Sequence, residues 1–159
     1  MKYNFLNNIK VVELGRIITA PYASKLLQDL GAKVIKVEAG NGDPYRELPP
    51  KIGNMSIWFS NFNVDKKVLR IPDWKLWESN SDVVESLRSA DILIENFKPG
   101  TLKKYGLDFD SLKKLNNKII YVSISAFGQE GSLAFKPGFD IIVQAMSGYL
   151  LDYEKGNVI

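Results

Sequence analysis

Apolar positions along the chain fall into short strand-like runs separated by stretches of helical spacing, and this alternation predicts the elements in order. Residues 10–14 (K-V-V-E-L) read as a first strand closed by Gly15. Arg16 to Ala20 form a loop, and Pro21 suits the first turn of a helix, where its missing N–H costs nothing. That helix runs to Leu30 and stops at Gly31, with Ala23, Leu26, Leu27 and Leu30 recurring at helical spacing as its buried face. Residues 33–38 (K-V-I-K-V-E) read as a second strand, rich in β-branched residues and interrupted by charge. Strand, helix and strand within about 30 residues make a βαβ unit, a parallel pair with a right-handed crossover.

Residues 39–56 (A-G-N-G-D-P-Y-R-E-L-P-P-K-I-G-N-M-S) are expected to be a long loop without structure of its own, either functional or disordered. Trp58 and Phe59 then begin a short apolar piece, and residues 66–71 (K-K-V-L-R-I) form a third strand ended by Pro72. A helix over 82–90 and a buried strand over 91–95 follow, and Asp108 or Asp110 caps a helix through Leu115 with Leu112 and Leu115 inside. Residues 118–127 (K-I-I-Y-V-S-I-S-A-F) read as a long strand, and 128–138 as a second loop bearing Gly and Pro. Asp140 then caps a helix holding Ile141, Ile142, Ala145 and Met146, which Gly148 interrupts. The order β-α-β-loop-β-α-β-α-β-loop-α predicts an α/β fold with a mainly parallel sheet.

Composition narrows the classes of function. The 159 residues suffice for one domain with a real core, and a hydrophobic share of 45% with 25% charged residues is that of a soluble globular protein. No apolar run approaches the ~20 residues of a membrane span, and the start M-K-Y-N-F-L-N-N-I-K lacks the apolar centre of a signal peptide, so a cytoplasmic protein is expected. The chain has no Cys and no His, which excludes disulfides, thiolate nucleophiles, Cys/His zinc sites and imidazole bases. A net charge of +3 suits a phosphorylated ligand, and no dense basic stripe or nucleic-acid-binding motif accompanies it. The first turn reads G-R-I-I-T-A-P in place of G-x-G-x-x-G, which argues against NAD binding of the usual kind.

The candidate chemistry centres on residues 91–106 (D-I-L-I-E-N-F-K-P-G-T-L-K-K-Y-G), where a strand passes through a Pro-Gly turn into a lysine-bearing helical turn that stops at Gly106. Such a place can hold an anionic ligand. Asn96 would supply amide hydrogen bonds, Phe97 a stacking face and Lys98 a cation, with Lys103 and Lys104 close by. The other reading is an ordinary strand-to-helix turn with solvated lysines, and these residues taken alone favour it. The loop from Arg16 to Pro21 lies where open α/β sheets bind ligands, or simply packs the helix entry through Ile17, Ile18 and Pro21. Asp43 and Arg46 could bind a substrate or pair with each other; Asp140 could act as an acid or base or cap its helix. Glu38 and Glu95 sit at strand ends with no partner visible in sequence and receive no catalytic role.

Several stretches together resemble the class III coenzyme A transferase family, which includes the α-methylacyl-CoA racemases. They are V-V-E-L-G-R-I-I-T-A-P-Y-A, L-L-Q-D-L-G-A-K-V-I-K-V-E, G-D-P-Y-R, A-D-I-L-I-E-N-F-K-P-G, L-K-K-Y-G-L, I-I-Y-V-S-I-S-A-F-G-Q-E-G and G-F-D-I-I-V-Q-A-M-S-G, in the family's order from residue 11 to residue 148. The resemblance implies a Rossmann-like domain that binds coenzyme A, in an enzyme that moves coenzyme A between carboxylic acids through an aspartyl-CoA thioester and mixed anhydrides. Carried over by position, it implies contacts from Ile18, Thr19 and Ile71, a nucleotide lying against Asn96, Phe97 and Lys98, and phosphates near Lys104 and Lys136. Family members often have arginine where Lys104 stands; lysine keeps the charge and loses the bidentate fork.

Two departures qualify the expectation. The family's nucleophilic Asp comes well after the S-G of Q-A-M-S-G, so the chain is expected to be an amino-terminal portion, residues 1–159, that stops before it. The implied partners are then acyl-CoA or coenzyme A, a complementing carboxyl-terminal chain, and further copies, since the family threads two subunits into interlocked rings. Racemases place a His just before the Asp of G-x-D-I, where this chain has Phe139, and with no His anywhere the transferase branch is favoured. The alternatives are a coenzyme- or nucleotide-binding module without catalysis, or a remnant that folds poorly for want of its missing segment.

Overall fold

A computed structural model describes residues 4–150, and the chain divides into two compact units, residues 1–124 and 125–159. The first unit is built on five parallel strands: β1 (Lys10–Glu13), β2 (Lys33–Ala39), β5 (Lys67–Ile71), β6 (Ile92–Glu95) and β7 (Ile120–Ser123). Their order across the sheet is β5-β2-β1-β6-β7. The chain thus winds outward from β1 through β2 to β5, returns to lie beside β1 as β6, and winds outward again the other way. The pair β1 and β6, with Val11 opposite Ile92 and Glu13 opposite Ile94, is the switch point at which a doubly wound sheet opens a crevice.

Alternation along the strands sends side chains to both faces, and both faces are covered. Val12, Leu14, Val37 and Leu93 face one apolar cluster, closed by Val83 and Leu87 of α3 (Ser81–Ser89) and Leu112 of α4 (Phe109–Leu115). Val11, Val34 and Ile94 face the other, closed by Ala20 of α1 (Thr19–Asp29). The caps follow their sequence signals: Asn80 accepts from the N–H groups of Asp82 and Val83 at the start of α3, and Asp108 from Ser111 N at the start of α4. Gly106, at φ 66°, ends the 3-10 turn Leu102–Tyr105 in the left-handed region that glycine adopts freely.

Five expectations need correction, four of them in the first unit. The inner face of α1 is not Ala23, Leu26, Leu27 and Leu30: Leu26 and Leu30 are exposed, Ala23 and Leu27 are half-buried, and Ala20, Pro21 and Ser24 are buried. The cause is polar, because Ser24 must reach a buried carboxylate beneath the helix, and small residues let the helix approach it. Residues 39–56 are structured, with a 3-10 turn Pro44–Arg46 capped by Asp43 and a hairpin of β3 (Lys51–Ile52) and β4 (Met55–Ser56). The apolar piece at Trp58 and Phe59 belongs to a helix, α2 (Ile57–Asn63), whose start is capped by Ser56 Oγ accepting from Phe59 N. The strand read over 118–127 shortens to β7.

In the second unit Ser125 Oγ donates to the Gly128 carbonyl at 2.7 Å and turns the chain there. Helix α5 (Asp140–Met146) starts at Asp140, and Phe139 occupies the cap position without a side-chain bond. Asp140 is therefore not the cap; its carboxylate accepts from Gln144 Nε2 at 2.6 Å instead. Among the described residues no helix is long and apolar enough to cross a membrane.

The correction to α1 is directly testable. Leu26→Ala is expected to change unfolding free energy by less than ~0.5 kcal/mol, as exposed positions do. Leu87→Ala, fully buried on α3, is expected to cost ~2–5 kcal/mol in the same urea titration.

Candidate functional site

A cluster of buried charges lies beneath the carboxyl end of β1. The alternating burial of a parallel sheet puts Glu13, at the end of β1, and Lys36, in the middle of β2, entirely out of solvent. Charges buried in this way must be paired. Lys36 Nζ lies 2.5 Å from Glu13 Oε1, 2.9 Å from the Gly15 carbonyl and 3.1 Å from Asp43 Oδ2. Lys66 Nζ, delivered from the residue before β5, donates to Glu13 Oε2 at 2.7 Å, to the Pro21 carbonyl at 2.8 Å and to Asn63 Oδ1 at 3.2 Å. Ser24 Oγ completes the shell of Glu13 at 2.5 Å. Burial pushes the Lys66 ammonium down to about 8, against the pull of Glu13.

Above this cluster the loop after β1 meets the loop after β6. Asn96 Oδ1 accepts from Arg16 N at 2.8 Å, while its Nδ2 donates to the Arg16 carbonyl and to Thr19 Oγ1, both at 2.8 Å. One amide side chain therefore holds both sides of the Arg16 backbone and the first residue of α1. A glycine is needed directly before it, since a Cβ at Gly15 would stand 2.1 Å from Ala20 Cβ and 2.9 Å from Asn96 Oδ1. The Arg16 guanidinium lies 4.9 Å from the centroid of the Phe97 ring, which Trp74 meets edge-on at 5.9 Å. Next to Asn96, the Glu95 carboxylate accepts from Phe97 N at 2.7 Å and from Ser123 Oγ. Burial raises the Glu95 pKa above the ordinary carboxylate value, and these two bonds act against the shift.

Ile17 is the strained member of the loop. Its φ of 72° lies in the left-handed region, which a β-branched side chain avoids and which costs ~1–3 kcal/mol. Its N–H is held 3.1 Å from both oxygens of the buried Asp43 carboxylate.

Comparison with known proteins bears on what such a site serves. The family model of CoA-transferase family III matches residues 6–154. The chain belongs to CoA-transferase family III. It is 40% identical over 149 residues to an acetyl-CoA:oxalate CoA-transferase from Acetobacter aceti, covering 91% of this chain and 37% of that protein. It is 42% identical over 152 residues to a succinate–glutarate CoA-transferase from Agrobacterium fabrum, covering 91% and 38%. The crystal structure of a CAIB/BAIF family protein from Brucella suis superposes with a TM-score of 0.83 at 38% identity, covering 93% of this chain and 40% of that one. The chain thus spans about two-fifths of the length of these relatives.

Within this member of CoA-transferase family III, the residues singled out from sequence are placed unequally. Thr19 and Asn96 meet directly, and Ile18 adjoins them as the exposed cap residue of α1. Ile71 and Phe97 are core residues of one apolar cluster, 3% and 9% exposed, so neither presents a free face. Lys98 and Lys104 are exposed, the latter on the 3-10 turn after β6. Lys136 is an exposed residue of the second unit. Asp43 and Arg46 do not pair with each other: Asp43 takes Lys36, and Arg46 takes Glu38 at 2.9 Å while stacking 3.8 Å from the Phe59 ring centroid. Glu38 and Glu95, without visible partners in sequence, both have them in the fold.

Sequence reasoning missed the Glu13–Lys36–Lys66–Asp43 cluster. A signal was available, since a charged residue in the middle of a strand of an all-parallel sheet faces a helix and not water. Lys98 and Lys104 remain exposed after β6, while the amide of Asn96 is engaged by Arg16 and Thr19.

The Lys66 ammonium gives this region a pH signature. Its value of about 8 lies below the ordinary 10.5, so between those limits the unfolded chain binds more protons and stability rises with pH. Urea unfolding at about pH 7.5 and about pH 10 is expected to show a steeper gain in stability for the native chain than for Lys66→Met, which lacks the titrating group.

Proposed function

We propose that this chain is the coenzyme A-binding part of an enzyme that transfers coenzyme A between carboxylic acids. The observation that carries the proposal is the Asn96 bridge, which shapes the Arg16–Thr19 loop at the switch point of a CoA-transferase family III fold. In doubly wound sheets this is where ligands sit, outside the carboxyl ends of the strands. Ile18 and Thr19 supply one wall and Asn96 and Lys98 the other, with Phe97 and Ile71 packed behind and Lys104 taking the phosphates.

In this proposal an aspartate contributed from outside residues 1–159 attacks the acyl-CoA carbonyl, forming a mixed anhydride and releasing the coenzyme thiolate. The thiolate then attacks the aspartyl carbonyl of the anhydride, giving an aspartyl-CoA thioester and the free first acid. The second acid's carboxylate attacks that thioester, expelling the thiolate and forming a second mixed anhydride; the thiolate then attacks the second acid's carbonyl, giving the new acyl-CoA and restoring the aspartate. This chain's share is to hold the coenzyme while its thiol end moves between carbonyls. Association with a complementing chain and with further copies of itself belongs to the same proposal.

Titration calorimetry with coenzyme A tests the binding step, and no heat of binding to the isolated chain would sink it. Lys98→Ala is expected to weaken binding by about three- to tenfold and to flatten its salt dependence. Lys104→Arg is expected to tighten it, because the guanidinium meets phosphate with two parallel bonds. Transfer activity is expected only on mixing with a chain that carries the aspartate; full activity of this chain alone would refute the division of labour.

A further inference from the structure

Several backbone groups of the loop that carries Ile18 and Thr19 are held by partners from other parts of the fold. The Gly15 carbonyl is bound by Lys36 Nζ, both backbone groups of Arg16 by Asn96, and the Ile18 carbonyl by Tyr22 N at 2.7 Å. The Ile17 N–H goes to Asp43. Ile17 is also where the backbone departs from what its side chain prefers, with φ at 72°. A strained residue persists only where its surroundings over-determine it.

Asp43 is built for that task. It is buried, and its charge is met by Lys36 at 3.1 Å. Its own backbone is fixed as the cap of the turn Pro44–Arg46, where Oδ1 accepts from Tyr45 N at 3.0 Å. The turn is anchored in its turn by Arg46 on Glu38 at the far end of β2. The carboxylate therefore cannot follow Ile17 if that residue relaxes, and a relaxed Ile17 would redirect the peptide leading into Ile18.

We propose that Asp43 is a positioning residue for the ligand site: it holds Ile17 in the left-handed conformation and thereby sets the direction of the Ile18–Thr19 wall. For its ligand this rests on the coenzyme A reading above. The role differs from a merely structural one in a measurable way. A glycine at position 17 adopts positive φ without strain, so it removes the need for Asp43.

The test is a double-mutant cycle of Asp43→Ala and Ile17→Gly, read by coenzyme A affinity and by amide hydrogen exchange at residue 17. Asp43→Ala is expected to weaken binding about tenfold or more in the native background, and less than about threefold in the Ile17→Gly background. Equal losses in both backgrounds would overturn the proposal. The exchange arm needs no ligand: the Ile17 amide is expected to be protected in the native chain and to exchange as an open amide in Asp43→Ala, and retained protection would overturn the proposal. If the native chain binds no coenzyme A, the coenzyme reading fails while the exchange result still decides for or against Asp43. Should Asp43→Ala fail to fold because Lys36 loses one of its two carboxylates, Asp43→Ala/Lys36→Met takes its place, measured against Lys36→Met alone.

Discussion

Everything at the candidate site depends on burying Glu13 without leaving it alone. A carboxylate at the end of the central strand of a sheet covered on both faces has no water to turn to, and this fold answers with two ammonium groups and a hydroxyl. Those partners come from β2, α1 and the segment before β5, so the charge pairing ties together elements far apart in sequence. Removing one partner would strand the others, whereas exchanging the whole set for apolar groups of similar volume need cost little. The cluster is therefore better understood as a device of specificity than as a source of stability. It dictates how close α1 must come, and small residues on its inner face follow from that.

From this base the site is assembled by position more than by unusual chemistry. Lys36 bonds the Gly15 carbonyl and faces Asp43, so the same ammonium that neutralises Glu13 also steadies both the start of the switch-point loop and the carboxylate that grips it. Asn96 then joins the two sides of the crevice. The lysines at the surface contribute charge, while the buried lysines contribute shape. Lys36 and Lys66 are consumed by internal pairing with Glu13 and Asp43, so they add nothing to the charge that the surface presents.

How much of this could be read from the sequence varied with the range of the interaction involved. The strands K-V-V-E-L, K-V-I-K-V-E and D-I-L-I-E, the glycine stop at Gly106 and the cap at Asp108 are set by neighbours a few residues away, and their patterns carried through into the fold. Asn96 stands out in sequence because strand ends in an α/β fold are marked by the change from apolar runs to turn residues, whereas Thr19 enters only through the family resemblance; the fold joins the two by a hydrogen bond. The inner face of α1 was misread since apolar periodicity assumes an oily partner, and here the partner is a carboxylate. The segment 39–56 reads as unstructured because its prolines and glycines hide a turn whose cap, Asp43, owes its burial to Lys36 on another element. Phe97 illustrates the opposite limit: an aromatic beside lysines suggests an open stacking face, yet its ring is already covered by Arg16 and Trp74.

The Asn96 bridge spans 80 positions of sequence between its two anchors. The shape of the first loop is thus not encoded in the first loop. A nascent chain that has formed β1, α1 and β2 already holds the βαβ unit, yet it lacks the amide that orients Arg16 and Thr19 until β6 docks beside β1. Recognition is thereby deferred to the closing of the central strand pair, and a ligand that reads this loop would discriminate the finished sheet from its half-built predecessors.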